Sequence, residues 1–270
     1  MNKAYRVVVG LGILGLGTLA VMAQPQGKTV MGSEGMLFGA KVSSWAKLNG
    51  KGGVQEAGVT IPLAAIEKAP LPTPNTPPPS GEPMMMMPTL SLEFPDVVKK
   101  TTFLDHLDLY WEQFGHPPER YLAPHFDFHF FGVSQAQAMA VDCKDLTPPA
   151  MEMTPKGYAP AVPPGAKAAE FCVPMMGFHG LPLSEFSAPG QLKPGLFDKV
   201  MIAGFYSGKY TFTEPMITRE FLLKKQNFSF EVPRPAKVGR KTLYPTVFTA
   251  TFDAKANAYS FVYSGFEAGE

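Results

Sequence analysis

The run Pro124-His125-Phe126-Asp127-Phe128-His129-Phe130-Phe131 constrains this chain more than any other segment. Its side chains alternate polar and aromatic, and a period of two is the signature of a strand with two unlike faces. His125, Asp127 and His129 then share one face, and Phe126, Phe128 and Phe130 share the other. The spacing of four between the histidines would also suit a helix. Pro124, the aromatic alternation and the lack of strong helix formers favour the strand.

Much of the remaining chain reads the same way. Ala40 to Leu48 and Val54 to Ile61 flank the turn Asn49-Gly50-Lys51-Gly52-Gly53, a strong hairpin signal. Further short aromatic or β-branched runs fall at 89–94, 103–111, 125–133, 199–206, 209–213, 228–232, 246–252 and 258–264, separated by Gly, Pro, Asn or Asp. Helical signal is confined to short pieces at 63–68, 135–140 and 216–225, the last opened by Pro215. The expected fold is mainly β: an antiparallel sandwich or barrel-like sheet with long proline-rich loops and one or two short helices, in one domain over residues 24–270. Residues 70–88 read as a proline-rich connector and 144–174 as a proline-rich loop.

The N-terminus carries Lys3 and Arg6, then an apolar run from Val7 to Val21 that four glycines interrupt. That run is short for a membrane span and suits a signal peptide over residues 1–23, with Val21 and Ala23 before the cut. An uncleaved anchor is the alternative. Export places the protein in the periplasm or outside the cell, with no membrane span after cleavage. The formal charge is +1 and no basic stripe is present, which argues against nucleic acid as a partner.

Export also allows Cys143 and Cys172 to persist as a disulfide. The bond would close a loop of about 30 residues, contributing roughly 3–4 kcal/mol in the chain-entropy model. A thiolate metal site lacks the close cysteine spacing of zinc ribbons.

Imidazoles and carboxylates two apart on a strand are ligands for a divalent ion: zinc first, with manganese, iron or copper as alternatives. His125 and His129 lie roughly 13 Å apart along a strand, so one ion can hardly take both together with Asp127. One neighbouring pair, or a bulged version of the three, is therefore expected, with further ligands from elsewhere. His179, between Gly177 and Gly180, is one source, and Glu214, placed at the end of a strand before Pro215, is another. Glu214 could instead cap the following helix. His116, in Gly115-His116-Pro117-Pro118, is a weaker candidate, and His106 and Asp108 face the site only if the register allows. His125-Phe126-Asp127 also matches half of the two-histidine, one-carboxylate triad of non-haem iron enzymes. Met84 to Met87 offer thioethers for copper but show no ligand spacing.

The segments 115–130, 176–179 and 214–218 resemble a family of exported bacterial proteins of unknown function, one relative being a Thermus protein under extracytoplasmic-stress sigma-factor control. The resemblance covers roughly residues 100–265, with 49–61 a looser match, and implies a secreted or periplasmic β domain. His125, Asp127, His129, His179 and Glu214 fall on its motif positions, and Phe131 stands where tyrosine is expected. Two functions follow. The first is one metal site that activates water for hydrolysis or hydration, with His125, His129 and His179 as ligands, Asp127 ligating or orienting an imidazole, and Glu214 as fourth ligand or general base. The second is a non-catalytic envelope or secreted protein that binds or self-assembles into a homo-oligomer. No catalytic residue and no small-molecule ligand is assigned.

Overall fold

The alternating segment becomes an inner strand of a seven-stranded sheet, buried on both of its faces. The structure is a computed structural model that describes residues 27–73, 87–163 and 165–269. The signal segment 1–23, most of the connector 70–88 and Pro164 lie outside the described residues.

In chain order the first strands are β1 (Thr29–Leu37), β2 (Ala40–Leu48), β3 (Val54–Pro62), β4 (Leu90–Glu93), β5 (His106–Glu112) and β6 (His125–Phe131). Next come β7 (Tyr158–Pro160), β8 (Phe178–Pro182), β9 (Phe186–Ala188), β10 (Gln191–Leu192), β11 (Lys199–Tyr206) and β12 (Lys209–Thr218). The last are β13 (Phe228–Glu231), β14 (Thr242–Tyr244), β15 (Val247–Asp253), β16 (Ala258–Ser264) and β17 (Glu267–Gly269). One sheet runs β1-β2-β3-β16-β15-β13 and the other β4-β5-β6-β12-β11-β8-β7, with β9/β10 and β14/β17 as small pairs. Every pairing between named strands is antiparallel.

The mainly β, sandwich-like reading holds, and neither large sheet closes into a barrel. Among the described residues four short α-helices stand where one or two were expected: α1 (Leu63–Glu67), α2 (Asp96–Thr101), α3 (Gln135–Met139) and α4 (Arg219–Leu223). Asp96-Val97-Val98-Lys99-Lys100-Thr101 escaped notice because one turn shows no periodicity. The 144–174 stretch contains β7, which extends the sheet by pairing with β8.

Phe126, Phe128 and Phe130 point between the two large sheets. Phe128 packs on Phe261 at 4.7 Å, and Phe130 meets Tyr263 at 4.8 Å. Full burial of each ring contributes roughly 1.5–3 kcal/mol, so this face fixes which way β6 is turned. The opposite face of the strand is thereby committed to its two histidines and aspartate. Among them lie two apolar clusters, Tyr110/Phe131/Ala138/Met176/Phe212 and Tyr121/Leu181/Phe197/Val200/Ile202/Met216. They form a covering layer, so all seven residues of β6 are buried.

Candidate metal centre

Register decides what gathers on that covered face. Across β5 and β6, Glu112 lies opposite His125, Tyr110 opposite Asp127, Asp108 opposite His129 and His106 opposite Phe131. On the other side, β12 places Thr218 beside His125 and Met216 beside Asp127. The same unbroken register carries Glu214 to His129.

Glu214 is thus a mid-strand residue. The expected stop at Pro215 does not occur, because β12 continues to Thr218, and Met201 faces Pro215 in the ladder. Helix α4 begins only at Arg219, and its cap is Thr218, whose hydroxyl accepts from the Phe221 N–H. A capping role for Glu214 is excluded by this placement.

The polar side chains form two triads rather than one site. In the first, Asp127 has Oδ1 3.0 Å from His125 Nε2 and Oδ2 3.5 Å from His116 Nε2. In the second, Nε2 of both His129 and His179 lies 3.6 Å from Glu214 Oε2. Within each triad the ligand atoms lie within 4.8 Å of one another. His125 and His129, expected in one site with His179, fall in different triads, because alternate strand positions point the same way but do not converge.

His116 is the ligand-type residue that the sequence ranked lowest. Gly115 puts it there. Its φ of +67° turns the chain after β5, and a Cβ would lie 2.2 Å from the Tyr121 carbonyl oxygen. A glycine turn following a strand that pairs with β6 was the signal available. Glu112 was missed as well, although it continues the period-two series His106, Asp108, Tyr110.

Hydrogen bonding assigns the ring nitrogens of the first triad. His125 Nδ1 lies 2.6 Å from the Ala123 carbonyl and His116 Nδ1 2.9 Å from the Pro117 carbonyl. A carbonyl only accepts, so each Nδ1 carries the proton and each Nε2 is left to face Asp127. This is the arrangement by which metal-binding histidines are oriented.

Charge differs between the triads. Burial opposes charge on Asp127, but His125 and His116 together hold its carboxyl far below the usual range. Burial opposes charge on His116 too, and the Asp127 contact outweighs it, raising the ring to about 9. Glu112 is pushed up to about 7 by burial and by Asp127. In the second triad, burial lowers His129 to about 4 and His179 to about 3, leaving both rings neutral. Burial, with Asp127 and Glu112 nearby, pushes Glu214 well up.

His106 and Asp108 share the face but join neither triad. His106 Nδ1 is 3.1 Å from Asp105 Oδ1, and Asp108 accepts from the Ser91 hydroxyl. Phe131, in place of the expected tyrosine, stacks on His106 at 4.8 Å.

The covering layer is tied down by the expected Cys143–Cys172 disulfide, which is formed. Beside it, the Met175 N–H donates to the Val141 carbonyl and so seats Met176 against the second triad's aromatic wall.

Residues 49–111 match the TTHB210-like family model. The TTHB210-like family is described by a hypothetical protein, TTHB210, and carries no activity in that description. The match agrees with the resemblance to an uncharacterised family with a Thermus relative. It spans less than a quarter of the chain, from the β2–β3 turn to β5, whereas the resemblance rested chiefly on residues 100–265. None of the six triad residues lies inside the TTHB210-like stretch. No curated protein and no solved structure matches the chain. No helix among the described residues is long and apolar enough to cross a membrane.

Proposed function

We propose that this chain is an exported metal-binding protein whose His116/His125/Asp127 triad holds a divalent ion that activates water for hydrolysis or hydration. One observation carries the reading: both imidazoles donate Nδ1–H to backbone carbonyls and turn Nε2 to one carboxylate. The Lys3/Arg6 start, the apolar run 7–21 and the disulfide support export.

Two nitrogens and one carboxylate suit zinc, and also manganese, iron or copper. When bound, such an ion lowers the pKa of a coordinated water towards neutrality. Three protein ligands leave a fourth position for it. His116, whose side chain is 38% exposed, stands where solvent reaches the triad. Asp127 supplies the charge, and Glu112, opposite His125 and only half buried, is placed to take up a proton.

Elemental analysis of protein purified without chelators or a metal-binding tag tests the reading. Bound metal that His125→Ala releases, with hydrolytic activity that tracks metal content, supports it. Protein that stays metal-free after incubation with zinc, manganese and copper overturns it.

A second reading, an ion that serves only structure or assembly, draws on burial: His125 and Asp127 are 0% and 4% exposed. It expects a bound ion that resists exchange and no metal-dependent activity.

A further inference from the structure

We propose that the chain binds a second divalent cation, separate from the first, in the His129/His179/Glu214 triad. The inference extends the proposed function but is argued from different atoms.

Three strands converge to build this triad. His129 comes from β6, Glu214 from β12 and His179 from β8, whose partner across the ladder is Gly204 of β11. Gly204 has no side chain, which leaves room above β11 for the Phe212 ring. That ring braces His129 at 4.8 Å and His179 at 5.4 Å.

The atoms so assembled lack partners among themselves. Both ring nitrogens of His129 and Oε2 of Glu214 are buried without a hydrogen bond, and each residue is 1% exposed. A buried polar atom left unpaired costs roughly 1–3 kcal/mol, so His129 Nε2 and Glu214 Oε2 facing each other unbonded are an expensive arrangement unless something binds them. At 3.6 Å the two Nε2–Oε2 separations are too long for hydrogen bonds. They suit ligands of a shared ion: with bonds of about 2.0–2.1 Å, tetrahedral donors stand about 3.3 Å apart.

Position separates this ion from the first. Asp127 and His129 are alternate residues of one strand, about 6.7 Å apart. Oxygen-bridged metal pairs sit roughly 3.5–4 Å apart, so these are two neighbouring centres and not one bridged pair. Tyr110 borders both, lying opposite Asp127 and meeting the His129 ring edge-on at 5.1 Å. Two imidazoles and one carboxylate in an aromatic wall favour a zinc-like ion over calcium or magnesium, which take oxygen shells.

Zinc titration of the chelator-stripped full chain tests the proposal, with bound metal counted by elemental analysis and cobalt absorption as a second readout. The expected result is two ions in the parent, one in His179→Ala, one in Glu214→Gln and one in His116→Ala. Glu214→Gln keeps the side chain's shape, so it reports even where the alanine variant fails to fold. A parent with one ion that only His116→Ala loses overturns this inference and leaves the proposed function standing. One ion that only the second-triad variants lose upholds the second triad as a cation site and overturns the first. One ion lost by every variant means a single shared site and overturns the proposal of two, as does binding of none.

Discussion

Gly204→Ala is the substitution that most directly probes how the second triad is built. A Cβ at this position would stand 2.1 to 2.3 Å from three atoms of the Phe212 ring. The ring is boxed in by His129, His179 and Phe131, the last at 5.2 Å, and cannot swing aside without moving them. Gly204 does not have a positive φ, so alanine suffers no backbone strain and the penalty is steric alone. Overpacking of this kind costs about 1–3 kcal/mol, and for a chain of this size each kcal/mol lowers Tm by roughly 2–4 °C. Urea unfolding of metal-free protein reads the loss. Combining the change with Phe212→Leu, which trims the obstructing ring, should make the double variant less destabilised than the sum by at least about 0.5 kcal/mol. In the same proteins, Gly204→Ala should weaken zinc binding at the second triad and spare the first. A Gly204→Ala protein as stable as the parent, or a strictly additive cycle, would refute this account of the packing.

Two further outcomes follow from the structure. Replacing both Cys143 and Cys172 by alanine opens a loop whose ends are 29 residues apart, and should cost about 3–4 kcal/mol in the chain-entropy model; an unchanged urea midpoint would contradict it. His106 is opposed by burial but raised to about 9 by Asp105 and Asp108, above its ordinary 6.5. Its contribution of about 3 kcal/mol is therefore complete below pH 6.5 and fades as pH rises to 9. His106→Gln should flatten the fall in stability across that window, and a slope equal to the parent's would count against the assignment.

Local chemistry made β6 legible from the chain alone. Alternation of His and Asp with Phe has one strand solution, and burying the phenylalanines settles which face the ligands take. The Asn49 turn was readable for a similar reason, since its side-chain oxygen accepts from the Lys51 and Gly53 N–H groups within the turn itself. The pairing of Cys143 with Cys172 needed no geometry, because no third cysteine competes.

What the sequence by itself determined was a two-faced strand with its histidines and aspartate on one side. Only the tertiary structure decided how those histidines are shared out. Pro215 looked like a boundary because its lack of an N–H disfavours strand interiors, but β12 passes through it with β6 and β11 on either side, and so brings Glu214 to His129. His116 joined His125 and Asp127 through a glycine turn, and His179 reached the second triad across a strand whose facing residue is glycine. A strand's period is local and readable along the chain. The register between strands, which sets the partners of each ligand, is a long-range property that exists only once the sheet is assembled.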